Sequence, residues 1–500
     1  MNRVINMNRR SFIRVVGAST LACALPAAGQ SASEVRRSKP NVLFIAIDDL
    51  NDWIEPLGGH PQAKTPNLNR LAEKGVVFTS AYCSAPACLP SRAALMSGKA
   101  PYESGIYANA QVWRDVLPDA VTIPQYFTAN GYFSAGAGKI FHNNQPDPQS
   151  WEDYFPSKEK HFPPYIYPDK RPQNMPYSED MYVEFDWWAH DKPDEETGDY
   201  KSVQWISGQL KRKHKKPFFL ACGLYRPHLP WFVPKKYFEM FPLEEIQLPK
   251  VLDNDWDDLP PRARKLAASS KRVYHDRVIK HDKWKEAVQG YLASIAYADA
   301  ILGRLLDALE SSTYVDNTVV VLWSDHGWQL GEKFHWRKFA LWENIAKCNL
   351  MFVVPRGTRG LPEGAPRGKK CSRPVSLQDI YPTLLQLCGL PQKQDVAGHS
   401  LIPLLRDSNA EWEHAAITCL HVWGEMAVST ENYRYISYRD GGEELYDLTK
   451  DPEEWYNLAN KAGYATVKKK LAGMLPRDPA PYARTATSPG LRKRKQDRDK

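Results

Sequence analysis

Pro40-Asn-Val-Leu-Phe-Ile-Ala-Ile47-Asp48-Asp49 is the stretch on which the fold class turns. An unbroken apolar run of this length, without polar alternation, reads as a strand buried on both faces of a parallel sheet. Open α/β sheets bind ligands beyond the carboxyl ends of their strands, where Asp48 and Asp49 fall. Two readings of this pair stand. It is a strand-ending turn, which Asp favours, or half of a cation site, because adjacent carboxylates repel unless positive charge lies between them.

Working outward, the same grammar repeats. Val76-Val-Phe78, Pro217 to Gly223, Asn317 to Ser324 and Leu350 to Val354 read as further strands. Helical signals lie between them at 65–75, 122–131, 201–213, 284–309 and 376–387. Thr65 is read as an N-cap before Pro66, and Ser376 with Asp379 as a capping pair. Such alternation predicts an α/β domain. Residues 143–200 are rich in Pro, Asp and aromatics and lack period, and 241–282 read as charged loop. After Leu405 the period shortens. Segments at 415–421, 426–429, 433–438 and 444–448 predict a small antiparallel sheet, followed by a helix near 465–475. The expected division is 1–30 leader, 38–408 main domain, 409–480 C-terminal subdomain and 481–500 basic disordered tail.

Cys83-Ser-Ala-Pro-Ala-Cys88-Leu-Pro-Ser-Arg92-Ala-Ala-Leu-Met-Ser-Gly98 follows the second strand. Pro90 suits a first helical turn, the Ala/Leu/Met run propagates it, and Gly98 ends it. Cys88 is thus predicted at a helix N-terminus, where free N–H groups and the dipole favour an anion. Taken alone it is an ordinary half-buried thiol.

Other reactive residues fall at matching positions. Asp325 and His326 follow the 317–324 strand, and His228 follows the 217–223 strand. Lys139 and His142, three apart, would share a face on a helical turn. A lone His is also a versatile structural hydrogen-bonder, so His228 has both readings. Oxygen donors from Asp48, Asp49 and Asp325 suit Ca²⁺ or Mg²⁺. Ringed by Arg92, Lys139, His142, His228 and Lys338, such a site suits an oxyanion ester, whose developing charge needs fixed positive groups.

The net charge of +8 is concentrated at the termini. Residues 1–30 and the last ten carry +4 each, so the remainder is neutral. No global basic field speaks for nucleic acid. Asn8-Arg9-Arg10-Ser11-Phe12-Ile13 precedes a modest apolar run ending at Pro26-Ala27-Ala28, a pattern similar to a twin-arginine export signal. The run is interrupted by Gly17, Ser19 and Thr20 and is shorter than the ~20 residues a membrane span needs. Thr20 also departs from the pattern that would lipidate Cys23. The expected location is periplasmic or secreted, with the twin-arginine translocase as partner and no stable membrane association. Apart from Cys23 in the leader and Cys88, six cysteines show neither a CxxC pair nor zinc spacing, and export would allow disulfides without demanding any.

The Cys88 stretch resembles the type I sulfatase signature, Cys-x-Pro-Ser-Arg before a short helix and Gly. Ile47-Asp-Asp-Leu50, Thr122-Ile-Pro-Gln-Tyr-Phe127, Gly138-Lys-Ile-Phe-His142, Tyr225-Arg-Pro-His-Leu-Pro230, Ser324-Asp-His-Gly-Trp-Gln-Leu-Gly331 and Glu444-Leu-Tyr-Asp-Leu-Thr-Lys-Asp-Pro452 extend the resemblance. Together they are similar, in order, to iduronate-2-sulfatase-type sulfatases from about residue 40 to 480. The resemblance implies an alkaline-phosphatase-like α/β/α sandwich with a small C-terminal antiparallel-sheet α+β subdomain. It implies that a formylglycine-generating or sulfatase-maturating enzyme converts Cys88 to formylglycine (3-oxoalanine), whose hydrate is the nucleophile. It further implies one Ca²⁺ held by Asp48, Asp49, Asp325, His326 and the modified Cys88.

The roles implied for the remaining residues follow by position. Arg92 would steady the aldehyde and the metal-site charge, and Lys139 and Lys338 would grip sulfate oxygens. His228, with Lys338, would protonate the leaving oxygen. His142 would take a proton from the second diol hydroxyl, releasing sulfate and restoring the aldehyde. Tyr107, Trp113 and Trp328 are expected to wall a pocket for a terminal sulfated sugar, such as a 2-O-sulfated uronic acid. Lys347-Cys348-Asn349 departs from the family's Val-Pro, and 143–200 departs from the iduronate-2-sulfatase pattern. Two competing readings keep the scaffold: a phosphodiesterase or phosphonate hydrolase, and an inactive sulfoglycan-binding protein.

Overall fold

The computed structural model describes residues 39–142, 145–175, 184–268 and 275–485. Strand Asn41–Ile47 is the middle of the molecule. It pairs in parallel with Phe218–Leu224 on one side and Thr318–Ser324 on the other. Phe133–Gly138 and the short Asp153–Phe155 extend the parallel block beyond Phe218–Leu224. On the other flank Lys347–Val353 runs antiparallel to both Thr318–Ser324 and Val76–Tyr82, and Lys369–Cys371 and Val375–Ser376 pair with the latter. The nine-stranded sheet is therefore mixed, because one strand is reversed.

Side-chain alternation along Asn41–Ile47 builds both layers of core. Leu43, Ile45 and Ile47 pack into a cluster with Leu68 and Leu71, with Val203 and Ile206, and with the long run Val288 to Leu309. These belong to helices Pro66–Ala72, Gly198–Lys211 and Trp284–Glu310. Val42, Phe44 and Ala46 face the opposite cluster, formed by helices Cys88–Ser97, Ile123–Ala129 and Ile380–Leu387. Two apolar faces on one strand thus produce the expected α/β/α sandwich. Strands Ala416–Cys419, Met426–Ser429, Tyr433–Ser437 and Glu443–Asp447 form the expected four-stranded antiparallel sheet.

Several expectations are corrected. Residues after Gly138 make a bend, so Lys139 and His142 do not share a helical face. The 241–282 segment carries helices Pro261–Ala268 and His275–Lys280, whose Leu266 and Val278 are buried. The described parts of 143–200 contain an edge strand of the main sheet and Trp187–His190, which pairs with Trp231–Pro234. The start of the tail is ordered by contact: Ala480 N donates to Tyr102 O and Ala483 N to Gly105 O. The leader and residues 486–500 lie outside the described residues. No helix among the described residues is long and apolar enough to cross a membrane.

Candidate active site

Three parallel strands end side by side and deliver the site: Asn41–Ile47 brings Asp48 and Asp49, Thr318–Ser324 brings Asp325 and His326, and Phe218–Leu224 leads to His228. Asp48 N donates to Leu224 O at 3.1 Å, so strand pairing continues to the ligand itself. Asp49 then turns through φ 57°, a left-handed conformation that Asp tolerates better than most residues. Its N–H donates to Asp325 Oδ1 at 3.1 Å.

Helix Cys88–Ser97 starts at Cys88 and ends at Gly98, φ 73°. The neighbouring loop holds this start in place: Leu89 N donates to Asn109 Oδ1 at 2.9 Å. Ser91 Oγ donates to Asp325 O at 2.6 Å. One turn into the helix, Arg92 spans the site's floor. Nε reaches Asp325 Oδ2 and Nη2 reaches Asp48 Oδ1, both at 2.9 Å. Nη1 donates to the carbonyls of Lys139 and Ile140 at 2.7 and 3.0 Å. Arg92 therefore locks the loop that presents Lys139 while it pairs with two carboxylates. A planar, five-donor guanidinium suits this task and an ammonium does not.

Around the Cys88 thiol the contacts are close. Lys338 Nζ lies 2.9 Å from Sγ and 2.7 Å from Asp49 Oδ1. His326 Nε2 is 3.4 Å from Sγ and 3.3 Å from Asp49 Oδ1. Lys139 Nζ pairs with Asp48 Oδ2. His228 Nε2 stands 3.7 Å from Asp49 Oδ2, and its Nδ1–H donates to Leu229 O at 2.5 Å, which assigns the tautomer. All of these groups are buried, with His228 the least so at 8 % exposure, while His142 is half-buried.

This crowding shifts the titrations. Burial raises the Asp49 carboxyl to about 7, against the pull of Lys338. Burial also opposes ionisation of Asp48 and Asp325. Lys139 and Arg92 nevertheless hold Asp48 below its ordinary value, and Arg92 and His326 hold Asp325 well below. The Cys88 thiol is likewise lowered despite burial, by Lys139 and Lys338. Burial works against the His326 cation, but Asp325 lifts it to about 9. Burial and then Lys139 push His142 down to about 3 and His228 well below 6.5. Both of the latter imidazoles are neutral at neutral pH.

Of the ten residues anticipated for catalysis and metal binding, nine are joined by these contacts around Cys88, and His142 lies within electrostatic reach of Lys139, Lys338 and Asp48, while the three expected wall aromatics do not wall the site. Tyr107 is 1 % exposed and spends its hydroxyl on Ala480 O at 2.7 Å. Trp113 is stacked on Phe141 at 5.7 Å and is core. Trp328 is buried too, with Lys338 Nζ 5.5 Å from its ring centre, so it supports the site from behind. The physical reason is general: large aromatics close to a sheet edge bury more area in packing than in lining a wet cleft.

Sequence reading missed the supporting residues. Asn349 Nδ2 donates to Leu50 O and Asn51 O, each at 2.9 Å, tying down the turn after Asp49. Tyr291 reaches from the long helix to donate to Asp49 O at 2.8 Å and accept from Asn51 N at 3.0 Å. Asp199 accepts from Tyr225 N and Arg226 N, fixing the His228 loop. Only Asn349 carried a signal, as part of the Lys347-Cys348-Asn349 departure from the family's Val-Pro.

Among the described residues, ligand atoms of Asp49, Cys88, Asp325 and His326 lie within 4.8 Å of one another, as do those of Asp48, Asp49, Cys88 and His228. Asp49 Oδ2 is buried and, among the described residues, has no hydrogen-bond partner. A carboxylate oxygen in that state is costly unless a cation takes it. Oxygen-rich donors with one imidazole fit a hard divalent ion.

Comparison with known proteins agrees with this geometry. Residues 40–390 match the family described as Sulfatase, and residues 336–478 match the N-sulphoglucosamine sulphohydrolase C-terminal family. A sulfatase of Formosa agariphila is 38 % identical over 488 residues, covering 95 % of this chain and 93 % of that one. Iduronate 2-sulfatase of Homo sapiens is 32 % identical over 391 residues, covering 70 % and 69 %. Among solved structures, a protein in complex with its substrate D-glucosamine-2-N,6-O-disulfate superposes with TM-score 0.68 at 22 % identity, covering 92 % of this chain and 99 % of that one. The phosphonate monoester hydrolase of Agrobacterium radiobacter reaches the same TM-score at 23 % identity, covering 87 % and 94 %, and so shares the alkaline-phosphatase-like fold. With its cysteine-headed helix, its clustered carboxylates and a match over most of its length, the chain belongs to the sulfatase family, the sulfuric ester hydrolases.

Proposed function

We propose that this sulfatase is exported and removes sulfate esters from terminal residues of a sulfated glycan, using an aldehyde derived from Cys88 and a bound Ca²⁺. The observation that carries the reading is the meeting of three carboxylates, one with an orphaned buried oxygen, and the cations Arg92, Lys139 and Lys338 around the Cys88 thiol. Its Sγ stands for the nucleophilic oxygen of the modified residue. When present, the cation supplies fixed positive charge and the aldehyde hydrate supplies the nucleophile. Asp48, Asp49, Asp325 and His326 would hold that cation.

The chain's own groups divide the remaining work. Lys139 and Lys338 are held at the site by Asp48 and Asp49 and can meet sulfate oxygens as point charges. Arg92 keeps its planar grip on Asp48 and Asp325 and so fixes the floor. His228 has Nδ1–H engaged on a carbonyl and Nε2 turned to the site. An arriving sulfate monoanion favours a second proton at Nε2, which can then pass to the leaving sugar oxygen. His142 is neutral, with no hydrogen-bond partner for Nδ1 among the described residues, and can accept a proton from the nucleophile's second hydroxyl.

Depth supports terminal action. Cys88 and Lys338 are 1 % and 2 % exposed, so a sulfate must be lowered into the site rather than slid past it. The relatives named for sugar sulfatases, iduronate 2-sulfatase and N-acetylglucosamine-6-O-sulfatase, support a glycan substrate. Support for export comes from Asn8-Arg9-Arg10-Ser11-Phe12-Ile13, outside the described residues. A maturing enzyme acting on Cys88 before folding is compatible with a route that carries folded proteins.

Mass analysis of the 83–92 peptide from active enzyme should show sulfur lost and oxygen gained at Cys88. Intact cysteine in fully active protein would end the mechanism. Sulfate release from defined glycans should exceed phosphate or phosphonate release from matched esters, and the reverse order would favour the hydrolase alternative. Loss of sulfate from internal sugars first would remove the terminal reading alone. Arg9→Lys with Arg10→Lys should strand the protein inside the cell, and normal export of that variant would remove the twin-arginine assignment.

A further inference from the structure

On the sheet edge opposite the active site, Lys211-Arg-Lys-His-Lys-Lys216 joins helix Gly198–Lys211 to strand Phe218–Leu224. Lys211, Arg212, Lys213, Lys215 and Lys216 are all exposed. Among the described residues none of them forms an ion pair. Five neighbouring cations without a carboxylate repel one another, yet the loop is held in a set shape. Tyr314 clamps it: its hydroxyl donates to Arg212 O and accepts from His214 N, each at 2.9 Å. His214 is packed between Phe133, Phe218 and Tyr314, at 5.4, 5.1 and 5.9 Å between ring centres. Arg212 N also closes the helix end on Gln209 O at 3.0 Å.

The loop borders a groove of about 1200 Å³ between this helix and Trp284–Glu310, lined by Tyr200, Gln204, Lys211, Lys213, Arg304 and Tyr314 among others. Arg304 lies over the Tyr200 ring at 4.9 Å, and pairs at long range with Glu195 and Asp194. Asp307, the groove's carboxylate, is engaged by Arg70 at 2.6 Å. The groove thus offers a cationic rim of Lys211, Arg212, Lys213 and Arg304 beside the half-buried rings of Tyr200 and Tyr314. Strand Phe218–Leu224 separates the loop from Tyr225 and the His228 turn. Seven residues at about 3.3 Å each put roughly 23 Å between them.

We propose that the Lys211–Lys216 loop and its groove are a second, non-catalytic binding site for a sulfated polysaccharide, which retains the enzyme on polymeric substrate while the distant active site works. Charge complementarity selects the occupant. The chain between the leader and the last ten residues is neutral overall, so this cluster is a local concentration that a regular polyanion would meet. Arg304, stacked over Tyr200, adds a planar guanidinium to this rim for a sulfate to meet. The proposal rests on the glycan reading of the active site, and its test is separable from that reading.

The test compares full-length wild type with a variant carrying Lys211→Ser, Lys213→Ser, Lys215→Ser and Lys216→Ser, and with a second carrying Lys215→Glu and Lys216→Glu in case the first fails to fold. Heparin is the probe polymer and a small aryl sulfate is the probe ester. We expect unchanged turnover of the aryl sulfate. Heparin affinity should fall at least about tenfold at about 0.1 M NaCl, and the difference should shrink as salt screens it. Equal heparin affinity in wild type and variants, or none in wild type, would overturn the proposal. Wild type that binds vesicles containing phosphatidylglycerol but not heparin would overturn it in favour of a lipid surface. Loss of aryl sulfate turnover in wild type would count against the active-site reading and leave the heparin result to stand by itself.

Discussion

Cys88 and Asn349 show how differently two buried polar residues work at the residue scale. Cys88 heads a helix and is surrounded by groups that pair with one another, so its side chain contributes little packing. Cys88→Ala is expected to remove turnover by a factor above about 10³, while the thermal midpoint moves by only a few degrees. A large loss of stability would show that the thiol is structural. Asn349 touches none of the reacting groups, yet its amide bridges two carbonyls that follow Asp49. Asn349→Leu leaves both without that donor in a buried place and should cost about 2 kcal/mol. It should also weaken divalent-ion affinity measured by titration calorimetry. Unchanged ion affinity in a folded Asn349→Leu protein would reduce Asn349 to a packing residue.

At the scale of elements, helix Pro66–Ala72 is capped from outside. Thr65 has the cap position, but its Oγ1 accepts from Glu55 N instead. Asp299, on the long helix, accepts from Asn67 N at 3.1 Å and Leu68 N at 2.8 Å, and so ties two helices of one layer together. Burial raises this carboxyl to about 6, although three hydrogen bonds from Asn67 and Leu68 oppose it. The folded protein therefore binds a proton more readily at this site than the unfolded chain does. Asp299 makes stability fall as pH rises from about 4 through about 6, and adds no slope above that. Asp299→Asn should lower the thermal midpoint throughout, since one acceptor becomes a donor. It should also flatten the decline between pH 4 and 6 relative to wild type. Parallel curves for the two proteins would show that Asp299 is ionised in the fold across that range.

For the whole molecule, the C-terminal strap matters more than its composition suggests. Residues 480–485 lie along the loop after helix Pro101–Ser104. Tyr107 Oη donates to Ala480 O at 2.7 Å, Gln111 Nε2 to Ala483 O at 2.8 Å, and Val112 N to Thr485 Oγ1 at 3.0 Å. That same loop carries Asn109, the cap of the Cys88 helix. Deleting residues 479–500 should lower the thermal midpoint by several degrees and make the loop near Tyr107 a site of limited proteolysis. Activity should fall in proportion to disturbance of the helix start. An unchanged proteolytic pattern would show that the strap is dispensable.

Which features were legible in the sequence follows from the range of the interactions involved. The central strand, the Cys88 helix with its Gly98 stop, the long amphipathic helix and the small C-terminal sheet each rest on local pattern, and each stands where periodicity put it. Most of the candidate site residues were legible because they fall at strand ends and one helix start, which are local events, and the rest because their motifs resemble those of the family. The sequence alone thus determined the fold class and named the candidate site residues that the strand ends bring together. Tertiary structure alone decided which strand is reversed, since a short apolar run does not encode direction. It decided that Tyr107 and Trp113 are core, because burial depends on which distant surface arrives to cover a ring. It also decided that Asp299 rather than Thr65 caps a helix and that Asn349, Tyr291 and Asp199 brace the site. Those partners are separated by up to 299 residues along the chain, and hydrogen bonds across such distances exist only once the sheet has brought their ends together.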